Sequence, residues 1–155
     1  MLFRSAASHV IFDKGYGWVV VNHGARAAFS IYNDSLTYFA VTAAIDLSIN
    51  TWYHFVGVAD NNGKTIKAYL NGRLEGTTNY TGEINFGTNP QLTIGSFHIG
   101  SADFFNGLID NVMIFNRALT AGEVWDLYMK PFGMTMPSFD ITKMLLPSGQ
   151  IIRIN

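Results

Sequence analysis

The residues that could carry catalytic chemistry are few in this chain and lack the spacing that catalysis needs. None of its four histidines stands at a metal-ligand spacing such as His-x-x-x-His. Its three glutamates are Glu75, Glu83 and Glu123, and no aspartate follows any of them two residues later. Cysteine is absent, which excludes a disulfide framework, a thiolate metal site and a cysteine nucleophile. We predict no catalytic residue and expect the protein not to be an enzyme.

Two glycine motifs match nucleotide-binding loops only in part. Gly63-Lys64-Thr65 has the end of a phosphate-binding loop, but Val58 stands where that motif needs its first glycine. Gly15-Tyr16-Gly17 has two glycines of a dinucleotide fingerprint, and Val20 replaces the third. Neither lies in an alternating strand–helix pattern, so we interpret both as turns and expect no nucleotide cofactor.

Aromatic side chains could stack on sugar rings, and they make up 14% of the chain. Strand alternation places most of these rings in a core. Tyr80 stands in a polar stretch and is predicted to be the best exposed candidate. With Phe104 and with Asn71 in a turn, it forms the predicted ligand-binding set. The other candidates for stacking are Trp18, Tyr38, Tyr53 and Tyr69.

The elements that must position these side chains are strands, because turn residues recur about every 8–12 residues. The strongest prediction is 52–59, which is apolar on both faces, as in an inner strand covered on both sides. Residues 60–63 predict a hairpin loop, and Asn71-Gly72 predicts a second hairpin with a type I′ turn. Residues 77–90 are polar and predict a surface loop. The other predicted strands are 9–12, 16–21, 27–32, 36–42, 64–70, 92–95 and 104–115.

One helix is predicted, from about Ala121 to Tyr128, because Thr120 and Glu123 have the spacing of a capping box. The tail after it holds three of the four prolines. It is either a linker with a sticky end or a small hairpin with arms 141–146 and 150–154. The apolar arms and the turn between them favour the hairpin. We therefore divide the chain into a domain, 1–130, and a tail, 131–155.

Composition limits the partners of this 155-residue chain, whose length suggests one domain. Ten basic residues against eleven acidic ones give a net charge of −1, and the basic residues are scattered. Nucleic acid is excluded as a partner, because phosphate binding needs clustered cations. No apolar run approaches the roughly 18 residues of a membrane span. The first residues contain no signal peptide, so we expect neither a span nor a signal within this chain.

Three stretches together resemble the laminin G-like (LamG-like) domains of the concanavalin A-like lectin/glucanase superfamily. They are Thr51–Asp60, with Trp52-Tyr53-His54; Ile66–Gly72, which ends in Asn-Gly; and Phe105–Thr120, where Gly-Leu-Ile-Asp leads to Asn-Arg-Ala-Leu. Their order and spacing match over about half of the chain. The resemblance implies an all-β fold, a two-sheet antiparallel jelly-roll sandwich with one short C-terminal helix.

Domains of this family usually carry further strands before the segment that here begins at His9. This sequence departs from that pattern, so the sandwich is expected to be truncated at its N-terminal strands, as a fragment or a trimmed version. Missing strands would leave an unpaired sheet edge, and the tail hairpin 141–154 is predicted to cover part of that gap. The paired carboxylates of the glucanase relatives, in a Glu-x-Asp-x-x-Glu pattern, are absent.

Relatives of this kind often hold calcium in loops at the rim of the sandwich. Calcium needs roughly six to eight oxygen ligands. The predicted ligands are Asp103 and Asn106, together with backbone carbonyls. The oxygen-rich loops 33–35 and 60–62 are alternatives, although turn chemistry alone explains 60–62.

The predicted function is a non-catalytic binding or adhesion module that recognises a carbohydrate or a protein surface. The family resemblance implies that it belongs to a larger extracellular, cell-surface or virion protein. The alternative is a structural or assembly domain that self-associates through the tail 131–155 and an open sheet edge. A glycoside hydrolase is the disfavoured third reading.

Overall fold

The computed structural model describes residues 2–5, 10–14, 18–23, 26–85, 92–97 and 104–130. These residues contain ten strands and one helix. In chain order they are β1 Leu2–Ser5, β2 Val10–Asp13, β3 Trp18–His23, β4 Arg26–Tyr32, β5 Tyr38–Thr42, β6 Tyr53–Asp60, β7 Thr65–Leu70, β8 Arg73–Asn79, β9 Thr93–Ile94, β10 Gly107–Asp110 and α1 Ala121–Met129.

The strands form two antiparallel sheets of five strands each. The first sheet has the order β10-β1-β6-β7-β8, and the second has the order β5-β4-β3-β2-β9. Successive hairpins join the consecutive strands β2, β3, β4 and β5 of the second sheet and β6, β7 and β8 of the first. The strands β1, β9 and β10 pair with strands that are distant in sequence. The prediction of an all-β antiparallel sandwich with one short helix is confirmed.

The main core lies between the inner faces of the two sheets. Phe55 and Ile66 of the first sheet belong to one buried cluster with Phe29 and Ile31 of the second. The sheets approach closely at Gly57, where an added Cβ would lie 2.4 Å from the Phe29 Cγ atom. Only glycine leaves room for the Phe29 ring at this point.

The helix α1 covers the outer face of the first sheet. Val124 and Leu127 of α1 form a second buried cluster with Leu119 and with Val58 and Tyr69 of the sheet. The strand β6 is consequently covered on both faces, as its apolar sequence predicts.

The N-terminus of α1 carries the predicted capping box. The Glu123 N–H donates to Thr120 Oγ1 at 3.2 Å, and the Thr120 N–H donates to Glu123 Oε2 at 2.8 Å. Arg117 Nη2 lies 2.6 Å from Glu123 Oε1. The predicted helix is confirmed and extends to Met129. At nine residues, this helix of the described chain is too short to cross a membrane.

The β7–β8 hairpin has the turn predicted from Asn71-Gly72. The φ angles of these residues are 49° and 78°, both positive, as a type I′ turn requires. The β6–β7 loop is held by Asp60, whose Oδ1 accepts hydrogen bonds from the N–H groups of Asn62 and Gly63, each at 3.0 Å. Both loops therefore have the form that their sequences predict.

Two predictions about the strands are wrong, and one strand was not predicted. Residues 77–79 are not part of a surface loop but belong to β8, which pairs with β7. The strand predicted for 104–115 is only Gly107–Asp110, because Asn111 leaves the extended conformation with a φ of 50°. No strand was predicted before His9, yet β1 lies inside the first sheet between β10 and β6. The hairpin predicted for the tail lies outside the described residues.

Candidate functional site

Tyr80 is not the exposed ligand-binding residue that its polar neighbours predict. It follows the end of β8, and its side chain is buried in the main core at 2% exposure. Its hydroxyl donates to Asn61 Oδ1 at 2.9 Å and lies 3.3 Å from the Asp60 carbonyl oxygen. The ring therefore anchors the β6–β7 loop and cannot stack on a ligand.

The ammonium group of Lys64 occupies the centre of the oxygen-rich rim beside Tyr80. Its Nζ donates to Glu83 Oε1 at 2.8 Å, to the Gly82 carbonyl at 2.8 Å and to Asn61 Oδ1 at 3.0 Å. Hydrogen bonds from Lys64 and Asn61 lower the pKa of Glu83. A lysine already supplies the positive charge here, so these oxygens do not fit a calcium ion.

The described part of the structure does not show the predicted metal ligands Asp103 and Asn106 assembled into a site. Asn106 is exposed and precedes β10, and Asp103 lies outside the described part of the chain. In the loop 33–35, the Asn33 Oδ1 atom already accepts hydrogen bonds from the N–H groups of Ser35 and Thr37. Within the described ranges, no group of three His, Cys, Asp or Glu side chains could hold a metal ion.

Exposed aromatic side chains cluster where α1 crosses one end of β6. Trp125 and Tyr128 of α1 are 42% and 37% exposed, and their ring centroids lie 5.7 Å apart. The His54 ring lies 5.9 Å from Tyr128. Trp52, 44% exposed, stands directly before β6 and two residues before His54 in the chain. We call Trp125 and Tyr128, with the His54 ring beside Tyr128 and Trp52 two residues before His54 in the chain, the aromatic patch.

The Asn71-Gly72 turn packs directly against Trp125 and Tyr128 of the aromatic patch. An added Cβ on Gly72 would lie 2.8 Å from Trp125 Cε3 and 3.1 Å from Tyr128 Cβ. Asn71 Oδ1 accepts a hydrogen bond from the His54 N–H at 3.0 Å, and the Asn71 N–H donates to the His54 carbonyl at 2.7 Å. The predicted residue Asn71 is thus beside exposed rings, with its side-chain oxygen committed to the backbone.

Phe104 is exposed, as a stacking residue must be, but it does not belong to the aromatic patch. It is 60% exposed and precedes β10, which lies two strands away from β6 in the first sheet. Of the three predicted ligand-binding residues, the structure therefore brings only Asn71 to the patch.

His54 is the buried member of the aromatic patch. Its side chain is 4% exposed, and burial lowers the pKa of its imidazole to about 4. The ring is consequently neutral at physiological pH. Its Nδ1 atom is buried and has no hydrogen-bond partner among the described residues.

A cleft of about 830 Å³ runs along the edge of β6 that faces away from β7. Residues 54–62 form one wall and residues 111–119 form the other. Phe12, Phe29 and Ile31 of the second sheet line its floor. We call this space the β6 cleft; its volume lies within the roughly 300–1,000 Å³ of ligand pockets.

Sequence reasoning missed both surfaces for different reasons. The sequence held one signal for the aromatic patch. Trp125 is apolar but stands outside the apolar stripe of Val124, Leu127 and Tyr128 on α1, which indicates an exposed ring. The β6 cleft has no local signal, because its two walls are about 55 residues apart in the chain.

Two glutamates are held as ionised partners rather than as acids. Arg117 and Thr120 lower the pKa of Glu123 to about 2 through hydrogen bonds, and Lys64 lowers that of Glu83. A general acid for glycoside cleavage needs a raised pKa, so neither carboxyl suits that role.

Comparison with protein families gives one match that covers most of the chain. The model of a laminin G domain family, described as the concanavalin A-like lectin/glucanases superfamily, matches residues 3–125. Among curated proteins, none matches the sequence.

Solved structures share the fold at low sequence identity. A heptameric SAP-like pentraxin from Limulus polyphemus has a TM-score of 0.66 and 14% identity over 82% of this chain and 66% of its own. A candidate carbohydrate-binding protein from Bacteroides ovatus has a TM-score of 0.64 and 14% identity, with 80% and 38% covered. The receptor-binding domain of botulinum neurotoxin type G has a TM-score of 0.60 and 18% identity, with 84% and 36% covered.

The chain spans about two thirds of the pentraxin and just over a third of the other two proteins. At such identities, the likeness shows a common fold and no more.

Proposed function

Since the chain belongs to the laminin G-like family of the concanavalin A-like lectin/glucanase superfamily, we propose that it is a non-catalytic module that binds carbohydrate. The aromatic patch is the binding surface in this proposal. The observation that carries it is the exposure of Trp125 and Tyr128 of α1, whose ring centroids lie 5.7 Å apart, with Trp52 also exposed directly before β6.

The chemistry of the aromatic patch suits a sugar ring. Apolar faces of sugars pack on aromatic rings, and Trp and Tyr add a polar handle at the ring edge. Large exposed apolar patches with polar surroundings mark binding sites. Arg73 and Asp126 are exposed and adjoin Gly72 and Trp125 in the chain, so they can offer hydrogen bonds to hydroxyl groups. A protein surface with an apolar protrusion is the second ligand class that this patch fits.

A binding role without catalysis agrees with the carboxylates. Glu83 and Glu123 hold Lys64 and Arg117, and their lowered pKa values keep them ionised. The third glutamate, Glu75, lies on β8. The superfamily also contains glucanases, so hydrolysis of a β-glucan is the activity to test against this proposal.

The module belongs to a larger extracellular, cell-surface or virion protein in this proposal. Support comes from the toxin receptor-binding domain and the pentraxin, of which this chain spans only a part. In this proposal Asp103 and Asn106 are the calcium ligands, because the Lys64 ammonium group fills the rim at 60–64.

A glycan array probed with the labelled protein tests the proposal. We expect at least one glycan to bind and Trp125→Ala to weaken that binding by about tenfold or more, as for a central aromatic contact. Tyr38→Ala is the matched control, because Tyr38 is 53% exposed but lies on β5 in the other sheet. Binding that Trp125→Ala leaves unchanged, or an array without any bound glycan, would refute carbohydrate recognition by this patch.

A further inference from the structure

One edge of β6 has no partner strand from Gly57 onward within the described chain. On one side, β7 pairs with β6 from Phe55 to Asp60. On the other side, the described residues of β1 pair with Tyr53 and His54. Residues 57–60 border the β6 cleft along this edge. A strand edge that carries unpaired peptide groups is a template for a further strand.

The register of β1 places the β6 cleft in line with a strand. Leu2 lies opposite His54 on one side and opposite Asp110 on the other. Beyond Leu2, β6 continues to Asp60, and the chain after β10 continues through 111–119. These two segments are the walls of the cleft. A strand in line with β1 would lie about 4.8 Å from β6, one strand spacing.

The hydrogen bonds of β6 identify the peptide groups that such a strand would meet. The His54 carbonyl accepts from the Asn71 N–H at 2.7 Å, so the even-numbered residues of β6 direct their peptide groups to β7. The peptide groups of Gly57 and Ala59 consequently point to the cleft.

Two buried side-chain atoms at the β1 end of the cleft add to this geometry. His54 Nδ1 and Asn111 Nδ2 have no hydrogen-bond partner among the described residues. Both residues line the β6 cleft. Because buried polar atoms are nearly always hydrogen-bonded, these two indicate an occupant with polar groups, such as a peptide backbone.

We propose that residues 141–146 of the chain's own tail bind in the β6 cleft as a strand and extend the first sheet. The cleft is apolar towards the core, at Phe29 and Phe55, and towards the helix, at Phe115 and Leu127. A strand covered on both faces is apolar on both. Residues 141–146, Ile-Thr-Lys-Met-Leu-Leu, have four apolar side chains in six, whereas the segments 6–9, 86–91 and 98–103 are short or polar.

The tail is long enough to reach the cleft. The helix α1 ends at Met129, and the ring of Tyr128 lies 5.9 Å from that of His54 at the β1 end of the cleft. Residues 131–140 can span about 33 Å when extended. The eight residues of β6 are about 26 Å long. Residues 141–146 can therefore begin at either end of the cleft.

Hydrogen exchange on the full-length protein tests this proposal. We expect the Gly57 and Ala59 amides to exchange about 100-fold or more slowly than open amides. Leu145→Pro removes a donor and fixes φ in the middle of the tail strand. It should accelerate both amides at least about tenfold and leave the Val58 amide, which faces β7, unchanged. Thr135→Pro is the matched control and should change none of the three.

Three results would overturn the proposal. Gly57 and Ala59 amides that are open in the unaltered protein mean an empty edge. Protection that Leu145→Pro leaves intact means a different occupant. Protection that rises with protein concentration, together with a dimer, means that a second copy supplies the strand.

A cross-linking measurement covers the case in which Leu145→Pro unfolds the protein and the Val58 amide also opens. The chain has no cysteine, so Ala59→Cys can be combined with a single cysteine at each position from 141 to 146 in turn in the full-length protein. An intramolecular disulfide in the monomer supports the tail strand. Failure of all six pairs contradicts it.

Discussion

The buried His54 ring should make the stability of the fold depend on pH in a calculable way. Its pKa falls from 6.5 in the unfolded chain to about 4 in the folded protein because of burial. The unfolded state therefore binds more protons between these two values, and stability is lost as the pH falls from 6.5 to 4. A difference of this size corresponds to roughly 3 kcal/mol.

The perturbation that isolates this effect is His54→Phe. Phenylalanine keeps a ring against Tyr128, whose centroid lies 5.9 Å away, and it has no titratable group. The difference in stability between the two proteins at pH 7 is the reference, and the change of that difference with pH reports the titration of His54.

Urea unfolding of both proteins at pH 8, 6 and 4 measures the effect. Carboxylates such as Glu83 titrate in both proteins, so their contribution cancels in the difference. We expect the unaltered protein to lose roughly 3 kcal/mol more than His54→Phe between pH 8 and pH 4. Parallel losses in the two proteins would refute the argument, because they would mean that His54 is protonated in the folded state.

Three further predictions concern the fold and its ligands. Gly57→Ala should lower the free energy of unfolding by about 2 kcal/mol or more, because its Cβ would lie 2.4 Å from Phe29 Cγ. Gly122→Ala should raise it by about 0.5 kcal/mol, because its Cβ would meet only Thr120 Oγ1, at 4.0 Å. Thermal unfolding compares the two variants. Thr120→Ala should lower stability by about 1 kcal/mol in urea titrations, through loss of the helix cap. A calcium site at Asp103 should raise Tm by roughly 5–10 °C over chelator, and Asp103→Asn should abolish that rise; equal Tm values with and without calcium would exclude the site.

Features set by neighbouring residues were predictable from the sequence. The Asn71-Gly72 turn needs two positive φ angles, which these residue types tolerate well. The start of α1 follows from Thr120 and Glu123, which satisfy each other's backbone groups within one turn.

Features set by distant contacts were not predictable. Tyr80 sits among polar residues in the chain, yet its ring is buried because β8 brings it against the β6–β7 loop. The four-residue strand β1 is defined by pairing with residues about 50 and 105 positions away. The aromatic patch arises only when α1 lies over the Asn71-Gly72 turn, which the spacing of Trp125 and Tyr128 alone does not reveal.

Fluorine NMR of the protein labelled with 5-fluorotryptophan tests the central claim most directly. The chain has three tryptophans: Trp52 and Trp125 in the aromatic patch, and Trp18 on β3 in the other sheet. Titration with a glycan that binds should shift the signals of Trp52 and Trp125 and leave that of Trp18 unchanged. A glycan that binds while it shifts only Trp18, or none of the three, would contradict recognition by the aromatic patch.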